Sequence, residues 1–145
     1  MSKRFIFNRG VVFPWHCDQY GHMNVRWYSH FFDDGSFLSW STIGFDMAAA
    51  VESGLHTVVV KSTTEFKRET LAGTTLMMMG QFVEFGRSSV VLEQQMLNAI
   101  NDELHATSQY VLVFCDSQTR QSIPIPEDCR QAMLTAGAQQ KRGNG

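Results

Sequence analysis

Cysteine, proline and charge are all scarce in this sequence. The 145 residues include three cysteines and three prolines, and Cys17, Cys115 and Cys129 are too few and too unevenly spaced for a disulfide framework. A reducing cytoplasm is the expected setting. Charged residues make up only 18% of the chain, with a formal net charge of -2, so the basic face that binds nucleic acid is missing and no nucleic-acid partner is expected. No uninterrupted apolar run approaches the roughly 18 residues of a membrane span. The opening "MSKRFIFNRG" has basic residues but lacks the apolar core and small-residue cleavage site of an export signal. Neither a membrane partner nor export is expected, and no internal repeat is visible.

What the chain does have is apolar and aromatic surface to bury: 43% hydrophobic residues, with eleven Phe, three Trp and three Tyr. At this length one core forms without disulfide or metal staples. The expected organisation is a single domain over residues 1–136 and a flexible tail over 137–145. "RFIFNRGVVFPW" reads as a strand closed by Pro14, which cannot donate to a ladder. From Asn24 to about Thr42, Trp27, Tyr28, Phe31, Phe32, Gly35 and Leu38 recur at helical spacing, with Gly44 as the stop. Its aromatic content predicts a helix buried on most sides. "FDMAAAVESG" reads as a short second helix capped by Asp46 and stopped by Gly54.

Beyond Gly54 the period changes to two. "HTVVVKSTTEFKR", "TTLMMMGQFVEF", "SSVVLEQQMLN" and "LHATSQYVLVFCD" read as four strands, the last three an antiparallel meander, and "IPIPEDCRQAMLTAG" as a short closing helix. This order predicts an α+β fold with the long helix packed across one face of an antiparallel sheet. An exposed sheet edge invites pairing with a second copy.

The densest chemistry lies in "HCDQYGHMN", residues 16 to 24. His16, Cys17, Asp18 and His22 are all ligand types, but adjacent His16 and Cys17 would point apart and no second cluster completes a zinc site, so no metal is expected. A Cys–His nucleophile is weak because catalytic partners are normally neighbours in space and not in sequence, and there is no G-x-S-x-G elbow to offer serine instead. Two readings stay open for Asp18. It caps a turn together with Asn24, or it is a carboxylate held at a helix mouth, where unpaired N–H groups and the helix dipole stabilise anions and developing oxyanions. Gly21 supplies positive φ and close backbone approach, and Asn24 is a good N-cap.

The run "VVFPWHCDQYGHMNVRWYSHFFDDGSFLSW" resembles the N-terminal motif of hotdog-fold acyl-CoA thioesterases of the 4-hydroxybenzoyl-CoA thioesterase type, with Asp18, Gly21, His22 and Asn24 at the matching positions. "VVVKSTTEFKRETLAGTTLMM" and "FGRSSVVLEQQM" resemble its next two blocks. The resemblance implies a hotdog fold, an antiparallel sheet wrapped around a long central helix, and homodimers or homotetramers with active sites at the dimer interface. It implies an acyl-CoA substrate, no metal, and no cofactor beyond the coenzyme A of the substrate itself.

On this reading Asp18 acts as nucleophile or as general base for water, Asn24 orients the acyl group or the water, and His22 holds the turn or adds a hydrogen bond. Backbone N–H groups between Gly21 and Asn24 polarise the carbonyl. Arg87, Ser88 and Ser89 are the candidates for the phosphates of coenzyme A, and Lys67 and Arg68 read as solvated charges. Two alternatives remain: a hydratase-dehydratase acting on enoyl or hydroxyacyl thioesters on the same fold, and a non-catalytic acyl-CoA binding module.

Overall fold

The computed structural model describes residues 2–141. Strand β1 (Phe5–Val11) leads through a short 3-10 turn (Pro14–His16) and a tight hairpin into helix α1 (Val25–Thr42). Helix α2 (Met47–Glu52) follows, then β2 (Leu55–Phe66), β3 (Thr75–Phe85), β4 (Ser89–Asn98), β5 (Leu104–Asp116), helix α3 (Glu127–Thr135) and the short β6 (Gln139–Gln140). The sheet order is β1-β3-β4-β5-β2, antiparallel throughout, with β6 added to β3 in parallel. This is the α+β hotdog architecture, a long helix held against one face of a curved antiparallel sheet.

The helix limits follow from local chemistry. Asn24 sits in extended conformation and its Oδ1 accepts the Arg26 N–H at 3.1 Å, capping α1. At the other end Gly44 takes φ +77°, a conformation that ends a helix cheaply only at glycine. Asp46 caps α2 in the same way, accepting the Ala49 N–H at 3.0 Å.

The core lies between α1 and the inner sheet face. Phe32, Phe82, Phe85, Phe114, Met78, Leu92 and Met96 are essentially inaccessible, and burying each side chain of this size is worth about 1.5–3 kcal/mol. Trp40 sets its ring edge-on to Phe114 at 5.5 Å and tilted to Phe82 at 5.4 Å. Polar anchors accompany this packing. Asn8 Nδ2 on β1 donates to the Phe31 carbonyl at 3.1 Å, Gln94 Nε2 on β4 donates to the Phe32 carbonyl at 2.9 Å, and the Tyr110 hydroxyl on β5 donates to the Asp33 carboxylate.

Two expectations need correction. The long helix is not buried on most sides: Tyr28, Phe31, Phe32, Gly35, Ser36, Ser39 and Trp40 are buried, whereas Phe37 is 73% exposed and Leu38 48%. A single sheet covers one face of a helix, so aromatic content alone does not enclose it. The tail expected from residue 137 is held in its first part. Ala138 is buried, Gln139 and Gln140 pair with Glu84 and Phe85, and the Lys141 N–H donates to the Phe85 carbonyl at 2.7 Å. Strand β1 pairs with β3 only between Thr75 and Gly80, so the far end of β3 offers backbone groups that this segment satisfies. Residues 142–145 lie outside the described residues.

Gly80 shows how closely β1 and the sheet interior fit. A Cβ at this position would lie 2.1 Å from ring atoms of Phe7, which is buried and set edge-on to Phe82 at 5.7 Å. Gly80→Ala is therefore expected to lose roughly 1–3 kcal/mol by overpacking. Denaturant unfolding checks this through a lower midpoint with unchanged slope.

Candidate functional site

The segment after β1 is folded by its own hydrogen bonds. Cys17 bridges Met23, the Asp18 N–H donates to the His22 carbonyl at 3.0 Å, and the Gly21 N–H donates to the Asp18 carbonyl at 3.0 Å. Residues 18–21 thus form a tight turn, and Gly21 at φ +81° supplies the left-handed position it needs. The Asp18 Oδ1 accepts the Tyr20 N–H at 2.9 Å, an Asx-type turn, while Oδ2 has no partner among the described residues. The hairpin is tied to its surroundings at three points. Met23 N–H donates to the Thr70 carbonyl at 2.7 Å, Asn24 N–H donates to the His16 carbonyl at 2.8 Å, and His22 bridges Leu71.

Asp18, Gly21, His22 and Asn24 therefore gather where this hairpin meets the first turn of α1. Helix geometry leaves the first amides without intrahelical acceptors. That of Arg26 is taken by the Asn24 side chain, and that of Val25 meets no acceptor among the described residues. His22 Nε2 lies 3.2 Å from the Glu69 carboxylate.

Beside the hairpin opens a cavity of about 320 Å³ lined by His22, Met23, Val25, Tyr28, Phe66, Lys67, Arg68 and Glu69. His22 belongs to both features; Asp18 does not line the cavity. Its apolar wall is Met23, Val25, Tyr28 and Phe66, with Tyr28 edge-on to Phe66 at 5.0 Å. Lys67 and Arg68 at its rim are engaged by carboxylates, Lys67 by Glu65 at 2.7 Å and Arg68 by Glu103 at 2.9 Å. The Lys67 ammonium hydrogen bonded to Glu65 holds that exposed carboxyl below its usual range.

Behind the cavity runs a buried polar chain that sequence reasoning missed. The Tyr28 hydroxyl and Thr70 Oγ1 are hydrogen bonded at 3.0 Å, and Thr70 Oγ1 and His105 Nδ1 at 2.8 Å. Burial raises the Tyr28 phenol pKa and lowers that of the His105 imidazole. Glu69 and Thr70 follow β2 and His105 opens β5, so only the strand register could have brought them together. The Lys67 and Arg68 N–H groups donate to the His105 carbonyl at 2.9 and 3.1 Å.

The expected phosphate-binding residues lie elsewhere in the protomer. Arg87, Ser88 and Ser89 form the β3–β4 turn, where the Ser88 carbonyl accepts the Phe114 N–H and the Arg87 carbonyl accepts the Ile125 N–H, both at 2.8 Å. The eleven residues of β3 separate that turn from the Asp18 end, about 35 Å of extended chain. Asp34 on α1 lies 3.6 Å from His30 one turn earlier. Among the described residues no three His, Cys, Asp or Glu side chains converge as metal ligands would.

Comparison with known proteins fits this geometry. The chain superposes on a gentisyl-coenzyme A thioesterase with a TM-score of 0.77 at 18% identity, covering 88% of this chain and 98% of that one. It superposes on the DHNA-CoA thioesterase of Staphylococcus aureus with a TM-score of 0.82 at 16% identity, covering 93% and 90%. A further S. aureus protein, SAV2348, solved in complex with CoA, matches with a TM-score of 0.82 at 14% identity over 94% and 86%. At these identities the likeness is one of fold. No curated protein sequence matches the chain. The family model described as the thioesterase-like superfamily matches residues 12–133, and the chain therefore belongs to that superfamily, as a hydrolase acting on thioesters.

Proposed function

We propose that the protein hydrolyses the thioester of a small or medium acyl-CoA to the free acid and CoA, with Asp18 as the reacting acid. The observation that carries this reading is the state of the Asp18 carboxylate. One oxygen is fixed by the Tyr20 N–H and the other is unengaged among the described residues, at the mouth of a helix whose Val25 N–H is also without an acceptor. As general base, Asp18 takes a proton from water; the hydroxide adds to the thioester carbonyl, and the tetrahedral oxyanion collapses with departure of the CoA thiolate, which is then protonated. As nucleophile, Asp18 adds directly, expels the thiolate and forms a mixed anhydride that water opens. In either course the Val25 N–H serves the oxyanion, Asn24 fixes the helix mouth, and the cavity by Tyr28 and Phe66 takes the acyl group.

A second copy completes the site on this reading. Strand β2 is a sheet edge with Val58, Val59 and Val60 exposed by 44%, 48% and 58%, a row that calls for a paired strand. The Asp18 hairpin and the β3–β4 turn lie at opposite ends of the sheet. Antiparallel pairing of β2 with its copy therefore carries the copy's Arg87, Ser88 and Ser89 to the end that holds Asp18. The homodimer is thus the unit that binds acyl-CoA, and a homotetramer is a pair of such units.

One observation bears on the role given to Asp18 within the hydrolase: Asp18 does not line the cavity and its Oδ1 serves its own turn. Thiol release from an acyl-CoA panel, with the wild type and with Asp18→Asn, tests that role.

Asp18→Asn keeps the shape and the turn and is expected to lower kcat by about a hundredfold or more, as loss of a general base does; near-full turnover in a folded protein would remove Asp18 from the chemistry. Arg87→Ala is expected to raise KM severalfold, with weaker salt dependence and little change in kcat, while an unchanged KM would exclude Arg87 from CoA binding. Val60→Lys places like charges across the proposed two-fold axis and is expected to give monomers without turnover. Sedimentation and the thiol assay check this together, and an active monomer would refute the shared site.

A further inference from the structure

The neighbour of the hairpin that the mechanism leaves unused is His16, a buried titratable ring two residues before Asp18. Its Nδ1 accepts the Phe13 backbone N–H at 2.9 Å, while the His16 backbone N–H donates to the Phe13 carbonyl at 2.9 Å. Residues 13 and 16 therefore close the 3-10 turn reciprocally, in the manner of a capping box, where a Glu or Gln usually supplies the side-chain acceptor. An Nδ1 that accepts a hydrogen bond carries no proton, so the ring is neutral with its proton on Nε2. The same residue holds the helix mouth, since its carbonyl accepts the N–H of Asn24, the α1 cap, at 2.8 Å. The next residue, Cys17, opens the hairpin by bridging Met23.

We propose that His16 is a positioning residue for the Asp18 site: the neutral ring locks the turn that sets the Asp18 hairpin against the start of α1. The proposal rests on the reading of Asp18 as the reacting acid. Protonation at Nδ1 would set a second N–H against the Phe13 N–H and turn an attraction into a repulsion. The surroundings oppose that charge. The residue is only 7% exposed, with the rings of Trp27 at 4.6 Å, Trp15 at 5.4 Å and Phe31 at 5.5 Å from its own. The titratable group that α1 brings to bear is His30, 3.6 Å from Asp34, and on its own segment the nearest acid in sequence, Asp18, turns Oδ1 to the Tyr20 N–H.

Burial first, and His30 second, hold the His16 ring below its ordinary value. Acidification therefore protonates the unfolded chain before the folded one. The contribution of the lock is complete above about pH 6.5 and is lost as the pH falls through and below that value.

Two variants test this. His16→Gln keeps an acceptor for the Phe13 N–H but does not titrate, and His16→Leu removes it. Gln is expected to retain kcat within about threefold at alkaline pH and to lose or shift the acid limb of the wild-type profile. Leu is expected to lose about ten- to a hundredfold in kcat with little change in KM, the scale of a small misplacement of reacting groups. A Leu variant with wild-type kcat and pH profile would overturn the proposal, as would a Gln variant with an unchanged acid limb, which decides the matter if Leu does not fold.

Hydrogen exchange and nitrogen NMR give readouts independent of turnover. The wild-type ring should carry its proton on Nε2 at neutral pH, and the Tyr20 and Asn24 amides should lose protection in Leu but not in Gln. A proton on Nδ1, or equal protection in both variants, would overturn the lock. If the wild type released thiol from no acyl-CoA, the Asp18 reading would fail while these readouts still decided the role of His16.

Discussion

The position of α1 along the sheet is set at three consecutive residues. Donors from three strands, Asn8 on β1, Gln94 on β4 and Tyr110 on β5, reach the Phe31 carbonyl, the Phe32 carbonyl and the Asp33 carboxylate. Apolar packing alone is forgiving of small slips, because one aromatic contact replaces another at similar cost. A buried polar group left without its partner costs about 1–3 kcal/mol, and a slip of the helix by one residue would unpair all three at once. Gly35 lets the helix come this close to the sheet: a Cβ there would lie 2.2 Å from the Gln94 amide oxygen.

Everything at the start of α1 inherits that placement. With the middle of the helix fixed, Asn24 lies where His16 can accept its N–H and where Met23 can reach the Thr70 carbonyl. Two contiguous segments, the turn after β1 and the hairpin around Asp18, thus meet the loop between β2 and β3, some fifty residues further on, at the helix mouth. The cavity is the gap this crossing leaves, walled by Tyr28 and Val25 from the helix, Phe66 from β2 and Glu69 from the loop. Its shape depends less on the hairpin than on the distance from β2 to α1, which the edge-on contact between Tyr28 and Phe66 spans.

What could be read from the sequence divides along the range of the interactions involved. Asn24, Asp46, Gly21 and Gly44 were legible because a cap or a positive-φ turn is settled within four or five residues. The strands were legible from alternation, and the meander from the short turns between them. The exposed outer face of α1 was not, because Phe37 reads as core by type and its exposure depends on how many layers cover the helix. Nor was the Tyr28–Thr70–His105 chain, whose members lie 35 and 42 residues apart in sequence. Gln94 is the instructive case: in "LEQQM" it reads as a polar position, yet it is buried because its task is to hold the helix. Of the site, the motif around Asp18 was visible and the cavity beside it was not.

Charge bookkeeping at the cavity bears on how an acyl-CoA could be held, on the reading proposed for this site. Each rim cation, Lys67 and Arg68, already has a carboxylate within 3 Å, and surface pairs of this kind contribute only about 0–1 kcal/mol. A phosphate could therefore displace either carboxylate at small cost, but the displaced Glu65 or Glu103 would remain nearby and repel it. Arg87 has no carboxylate partner among the described residues and can engage a phosphate without that penalty, yet it stands at the far end of β3. On this reading a single protomer has the unengaged oxygen of Asp18 at one end of the sheet and Arg87 at the other, and its bare strand edge β2 lies along the sheet between them. Antiparallel pairing of that edge with a copy satisfies the backbone of β2 and reverses the second sheet end for end. On the proposed reading one association brings the copy's Arg87 to the Asp18 end while it covers the edge of β2, and this economy is the physical argument for proposing a dimer whose interface contributes to the site.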